Sequence, residues 1–398
     1  MKFLVPILTL ALLALAAPAQ AQQVTRPVTI EYYQGPVVSS NRLIGMGGAF
    51  IGVAEGADAH LINPASFATR YSYTVDDWFD YDWALSWVTM PEGGDAALNS
   101  APVAVDVDSA SYVELGFDLK FGRFGLGLHA SPHTFDERLG WTDPEEGVRV
   151  EAVTWTQMAG GMGLGYAFYD GQLIVGMASE TIQFGVAGEE LERDELFHLS
   201  TTQVLWGGLA APHGEPWRLG MRFRTPADEE TDVVGSAEAF QLRLEPERVV
   251  APWEVGIGGS WRFGERAYNP HYTFDKRRPN SSVGDRRYVL VAADLILTGT
   301  TDNAIGIESF LAQEYARAGD ELTLSARAGV ESEVVPNLLR LRAGSYFEPS
   351  RYSGHPGRFH GTAGADLRVT LGWDWRLNAA IDVAPGYQNF GFGIGFWH

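Results

Sequence analysis

Four arginines stand in two i, i+2 pairs: Arg222 and Arg224 in "WRLGMRFR", Arg340 and Arg342 in "LRLRAG". A guanidinium is a planar fork that holds a carboxylate through two hydrogen bonds. Placed on one face of a strand, these four are candidate binding residues for an acid with an apolar tail. The plainer reading is an internal charge network with Asp118, Asp374 and Asp382. Asp76, Asp77, Asp80 and Asp82 crowd into "DDWFDYD". Carboxylates can gather calcium, but this spacing matches no calcium loop. An interfacial turn with Trp78, Phe79 and Tyr81 as its aromatics is the better reading. The runs "EELERDEL" (189–196) and "DEET" (228–231) read as solvated loops rather than bridges to lipopolysaccharide cations. The nine histidines form no H-E-x-x-H, and no G-x-S-x-G frames a nucleophile. His129 and His133 near Asp136 would need a serine partner to make a hydrolase. The expectation is therefore no catalytic residue, no metal, no cofactor and no enzyme activity.

Which reading of the arginines holds depends on what their strands enclose. The chain begins with Lys2, an apolar run from Phe3 to Ala17 and then Ala19-Gln20-Ala21. A basic start, a short apolar stretch and an A-x-A exit describe a secretory signal peptide, cleaved after Ala21. The 398 residues include no cysteine, which excludes disulfides and thiolate metal sites. With 29 basic and 50 acidic residues the formal charge is −21, and such a chain repels nucleic acid. No later run is long and apolar enough for a spanning helix.

Period-two alternation runs through the rest. In "VELGFDLKFGRFGLGLH", Val113, Leu115, Phe117, Leu119 and Phe121 share one face, and Glu114, Gly116, Asp118 and Lys120 the other. Gly122-Arg123 makes a two-residue turn. "WDWRLNAAIDV" and "FGFGIGF" carry the same code near the C-terminus. A soluble sandwich buries the apolar face; a membrane barrel turns it to lipid and keeps polar or tiny residues inside. Aromatics at strand ends, glycine on the second face, and connections alternating between short (122–123, 169–171, 211–216) and long (133–147, 185–197, 227–237, 264–286, 348–358) favour the barrel. Pattern alone gives near sixteen strands, with 238–246, 304–312 and the division of 148–168 weakest, and a range of twelve to sixteen. Polar interiors are ordinary in such barrels, so the charge network is the stronger reading of the arginines.

Ahead of the strands lies "GMGGAFIGVAEGADAHLINPASFA", residues 45–68. It opens like a nucleotide loop, but G-x-G-x-x-G would need glycine at position 50, where Phe50 stands. Small residues and a turn at Asn63-Pro64 instead suit a compact segment folded into a barrel lumen. The stretch resembles the N-terminal hatch of the FadL-type outer-membrane transporters of long-chain fatty acids and aromatic hydrocarbons. Its matching positions are Gly47, Gly48, Asp58, Asn63, Pro64 and Ala65. "PWRLGMRFRTP" and "LLRLRAGSYFEPS" are similar to later segments of that family. The resemblance implies an all-β, fourteen-stranded transmembrane antiparallel barrel with both termini periplasmic. The signal peptide would span 1–21, the N-terminal extension and hatch 22–68, and the barrel 69–398. Hydrophobic ligands would bind near the outer loops, the hatch would move, and exit would be sideways through the wall. Membrane lipid and lipopolysaccharide would surround it in a Gram-negative outer membrane. The alternative is a barrel that anchors or partners a secretion or surface-assembly system. One departure from the family pattern is "QQVTRPVTIEYYQGPVVSS", some twenty residues ahead of the hatch.

Overall fold

The computed structural model describes residues 26–33, 35–90, 106–142, 149–188, 197–230, 244–275, 287–371 and 373–397. The signal segment and the acidic run 189–196 lie outside the described residues. In chain order the strands are β1 (Arg26–Glu31), β2 (Phe79–Met90), β3 (Asp106–Phe121), β4 (Phe124–Thr142), β5 (Arg149–Phe168) and β6 (Leu173–Gly188). Then follow β7 (Phe197–Ala210), β8 (Trp217–Arg224), β9 (Ala227–Glu230), β10 (Leu244–Ala251), β11 (Glu254–Gly264) and β12 (Tyr288–Thr298). The last six are β13 (Ala304–Gly306), β14 (Thr323–Val335), β15 (Leu339–Glu348), β16 (Arg358–Leu371), β17 (Trp373–Ala384) and β18 (Tyr387–Phe396).

Fourteen of these close into an antiparallel barrel, with β18 pairing β2 to complete the ring. Closure leaves no unpaired edge, the condition for a sheet in hydrocarbon. The strand parity read from the sequence sets the two faces. On β8, Met221 is 60% exposed and its neighbour Arg222 only 5%. Leu128, Met162, Leu219, Ile257, Leu324 and Phe392 likewise point outward, an apolar belt that makes the wall a transmembrane one. Trp78, Phe79 and Tyr81 are exposed at one rim, where an aromatic girdle belongs.

Strand number was overcounted from the pattern for a definite reason. Residues 149–168 form one long strand, and β1, β9, β10 and β13 leave the wall to form a separate four-stranded sheet, β13-β1-β10-β9. Most of 304–312 is a short helix, Ile307–Leu311. The stretch 133–147, expected as a long connection, is strand as far as Thr142. Of the expected long connection 264–286, the described part, 264–275, lies at the short-turn rim, beside Gly122-Arg123 and residues 169–172 and 211–216. There Asn269 O accepts from Gly214 N at 3.1 Å, and Tyr272 N donates to Asp170 O at 3.1 Å.

The chain's C-terminal end reaches the short-turn rim, where Trp397 N donates to Asp374 O at 3.0 Å. The first described residues do not. β1 lies in the outer sheet, between β10 from the β8–β11 connection and β13 from the β12–β14 connection. The expectation of both termini at one rim therefore fails for residues 26–31, because their backbone hydrogen bonds are satisfied at the opposite end.

Candidate functional site: the lumen and the segment inside it

From β1 the chain descends into the ring. A short helix, Asn41–Gly45, is wholly buried, and so are two 3-10 turns, Ala57–Ala59 and Pro64–Phe67. This segment meets wall strands on every side. The inward glycines of the wall leave no room for a Cβ. On Gly116 of β3 it would lie 2.3 Å from Ala57 O, on Gly125 of β4 1.9 Å from Phe67 O, and on Gly176 of β6 2.1 Å from Pro64 O. On Gly220 of β8 it would lie 2.0 Å from Ile51 O, on Gly329 of β14 2.2 Å from Met46 O, and on Gly391 of β18 2.0 Å from Asn41 Oδ1. The wall uses glycine where the inner segment touches it, at all but Gly391 through that segment's backbone.

Charge fixes what glycine admits. Arg42 donates to both oxygens of Glu331 at 3.0 Å each. Arg342 joins the same carboxylate at 2.6 Å and grips Asp366 at 2.6 and 2.5 Å. Arg218 donates to Glu55 at 2.7 Å and to Val53 O at 3.0 Å. Asp294 accepts the amides of Phe50 and Ile51 at 2.6 and 2.8 Å. Asp82 accepts from Ala57 N at 3.0 Å and Tyr71 Oη at 3.1 Å. The inner segment is outside the spanning strands, and its titrating groups follow its surroundings. Burial, the largest single influence, opposes the charge on Arg42, but Glu331 together with Tyr71 and Glu55 outweighs it and holds the guanidinium well above its ordinary value. Burial and then the charge of Asp82 push the Tyr71 phenol up, so it donates as a neutral hydroxyl.

The six hatch residues named from the sequence all lie in this segment. Gly47 and Gly48 have φ of 60° and 70°, and a Cβ on Gly47 would lie 2.7 Å from Ser345 N. Asp58 stands 2.8 Å from Arg376 of β17, an ion pair by distance that lacks hydrogen-bond angles at Oδ2. Asn63 caps the turn that begins at Pro64: Oδ1 accepts from Ala65 N at 3.0 Å. Its Nδ2 donates to Ile51 O at 2.8 Å and to Gly208 O of the wall at 3.2 Å. One side chain thus ties the turn to an earlier part of the segment and to β7.

The four arginines face the lumen, and each has a partner. Arg222 meets Glu254 at 2.7 Å; Arg224 lies 3.3 Å from Glu254 and 3.6 Å from Glu180. Arg340 pairs with Glu333 at 3.3 Å, and Arg342 with Glu331 and Asp366. The network therefore runs through glutamates and Asp366. The aspartates expected in it are engaged elsewhere: Asp118 with Lys120 at 2.9 Å, Asp374 with Arg368 at 2.5 Å, and Asp382 with His360 at 2.9 Å. Arg222 and Arg224, with Glu180, Glu254, Tyr32 and Tyr33, line a cavity of about 90 Å³. Arg340 lines a second, of about 30 Å³, at the short-turn side. The sequence alone does not bring these two pairs to one site, and the structure keeps them apart.

Other chemistry disperses. Asp76 bonds Thr273, Asp80 lies 3.7 Å from Arg70, and Asp82 turns inward. No metal-binding cluster occurs among the described residues. Ser131 Oγ does stand 2.8 Å from His133 Nε2, but both are buried in the lumen and not on an outer wall open to substrate. His129 and His133, four apart on a strand, are separated by roughly 13 Å of rise and do not converge. Beside this pair the β3–β4 ladder joins Tyr112 to His133 and Leu115 to Ala130 and omits the two pairs between, where Pro132 offers no N–H.

Closed ring, lipid-facing belt and filled lumen together define a transmembrane β-barrel with a segment folded inside it. The same fold occurs in the FadL-type channels. Superposition on a Pseudomonas aeruginosa FadL homologue gives a TM-score of 0.58 at 12% identity, over 92% of this chain and 99% of that one. The CymD monoaromatic hydrocarbon channel gives 0.56 at 11% identity, over 91% and 98%. The Pseudomonas putida toluene transporter TodX gives 0.54 at 12% identity, over 93% and 99%. No protein-family model matches the sequence, and no curated protein matches it by sequence.

Proposed function

We propose that this chain is an outer-membrane channel through which hydrophobic small molecules, long-chain fatty acids among them, pass down their gradient. Residues 41–68 are its hatch. The observation that carries this reading is the ion-paired segment seated inside a closed, lipid-facing ring. In that conformation the larger lumen cavity, about 90 Å³, is smaller than the roughly 150 Å³ that admits benzene. Passage therefore requires the hatch to shift, and the Asn63-Pro64 turn is where wall, turn and earlier segment are joined. The FadL homologue, the toluene transporter TodX and the monoaromatic hydrocarbon channel CymD share the architecture. The interrupted β3–β4 ladder beside Pro132 is the natural place for a sideways exit. Deleting residues 45–65 should turn a silent barrel into a conducting pore in planar bilayers. A deletion variant as silent as the full chain ends the hatch reading.

A further inference from the structure

The extension ahead of the hatch has no part in that mechanism, yet it is built into the opposite end of the molecule. β1 is an interior strand of the outer sheet, where Ile30 and Glu31 pair with Val249 and Val250 on one side and with Ile305 and Gly306 on the other. Val28 and Ile30 are 4% and 1% exposed, in an apolar cluster with Val249, Ile305, Phe310 and Leu311. Next to them Glu31 is buried in a cradle of donors. Arg351 reaches it at 2.5 Å through Nη2 and at 3.2 Å to both oxygens through Nε, and Thr301 Oγ1 donates at 2.8 Å. Tyr32 and Tyr33, immediately after it, roof the cavity that Arg222 and Arg224 line.

Apolar groups followed by a carboxylate in an arginine–hydroxyl cradle have the chemistry of an amphiphilic acid. We propose that β1 is an internal occupant of an outer binding seat for such acids, and that a ligand takes the seat by displacing it. This rests on the channel reading above. An acid restores both the apolar burial and the Arg351 ion pair, while the backbone hydrogen bonds of β1 to β10 and β13 are given up in the exchange. A hydrocarbon or alcohol of the same length leaves Arg351 buried without its carboxylate, and sites built around a buried charge reject ligands that leave it unpaired. β1 is also the strand best placed to leave. It lies within ten residues of the expected cleavage point, and its neighbours β10 and β13 are anchored through other connections.

The chain has no native cysteine, so a Thr29→Cys/Arg248→Cys pair, facing each other across β1 and β10, is a clean lock. In lipid nanodiscs, with labelled oleate as the probe, the oxidised variant should bind about tenfold more weakly than the same protein reduced. A chain lacking residues 22–31 should bind about tenfold more tightly than the full chain, since a seat vacant only part of the time lowers apparent affinity by that fraction. In that shortened chain Arg351→Gln should erase the preference for oleate over oleyl alcohol. Equal oleate affinity in the oxidised and reduced double variant overturns the proposal, whatever the shortened chain does. Should the 45–65 deletion still conduct in that case, the hatch reading stands and only the outer seat is lost.

Discussion

Arg42 of the inner segment and Glu331 of β14 meet fork to fork, both contacts at 3.0 Å, with both side chains buried. Such a pair fixes position more than it adds stability, because desolvation offsets much of the attraction; removing one partner, however, strands a buried charge. Arg42→Met leaves Glu331 with Arg342 at 2.6 Å and Tyr288 Oη at 2.7 Å. The loss should therefore sit near the low end of about 3–5 kcal/mol. Thermal unfolding in detergent should shift down, and bilayer recordings should show intermittent openings that the parent barrel lacks. An unchanged melting temperature together with unchanged silence would remove this pair from the hatch's anchorage.

Asn63→Ala tests the turn itself. The substitution removes an N-cap, which costs about 1 kcal/mol, together with two hydrogen bonds from Nδ2. Asn63→Asp keeps the cap oxygen but gives up the amide donors to Ile51 O and Gly208 O. Ala should leak most, Asp less, and the parent not at all, as read by entry of a small dye into proteoliposomes. Equal leak from Ala and Asp would place the effect in the lost donors rather than in the cap.

Gly176→Ala separates contact from backbone freedom. Its Cβ would meet Pro64 O at 2.1 Å, whereas a Cβ on Gly361 of β16 meets nothing within 4 Å. Neither residue has a positive φ. Gly176→Ala should loosen the hatch and lower the melting temperature by several degrees, and Gly361→Ala should do neither, since overpacking costs about 1–3 kcal/mol only where space is filled. If both variants behave like the parent, the inner segment is not pressed against β6 in the working protein.

These predictions show what sequence could and could not supply. The wall was legible because one face of each strand meets lipid and the other does not: Met221 and Arg222 differ in kind as well as in exposure. Asn63-Pro64-Ala65 stood out because a capped turn needs those residue types at that spacing. Partners were not legible. Arg218 and Arg376 lay on the inward parity of strands already recognised, but nothing local says that they meet Glu55 and Asp58. The inward glycines were a usable signal, because Gly116, Gly125, Gly176 and Gly220 mark where a second backbone approaches. The outer sheet was least accessible: β1 pairs in parallel with residues more than two hundred positions away, and its six residues carry no pattern of that.

The cavity beneath Tyr32 gives the last test. Glu254 serves both Arg222, at 2.7 Å, and Arg224, at 3.3 Å, so it occupies the cations that an entering carboxylate would need. Glu254→Gln keeps the shape of the side chain and removes its charge, leaving Arg224 only Glu180 at 3.6 Å. If these arginines receive the ligand's acid group on its way through, this variant should retain oleate about tenfold longer and pass it more slowly, since a site that binds too well empties badly. Arg222→Gln should do the reverse, with weaker retention and a smaller advantage of oleate over oleyl alcohol. Both effects are charge effects in a buried site, so they should persist at an ionic strength that screens surface pairs. If the two variants change oleate and oleyl alcohol alike, Arg222 and Arg224 belong to the wall's charge network and have no part in recognising the ligand.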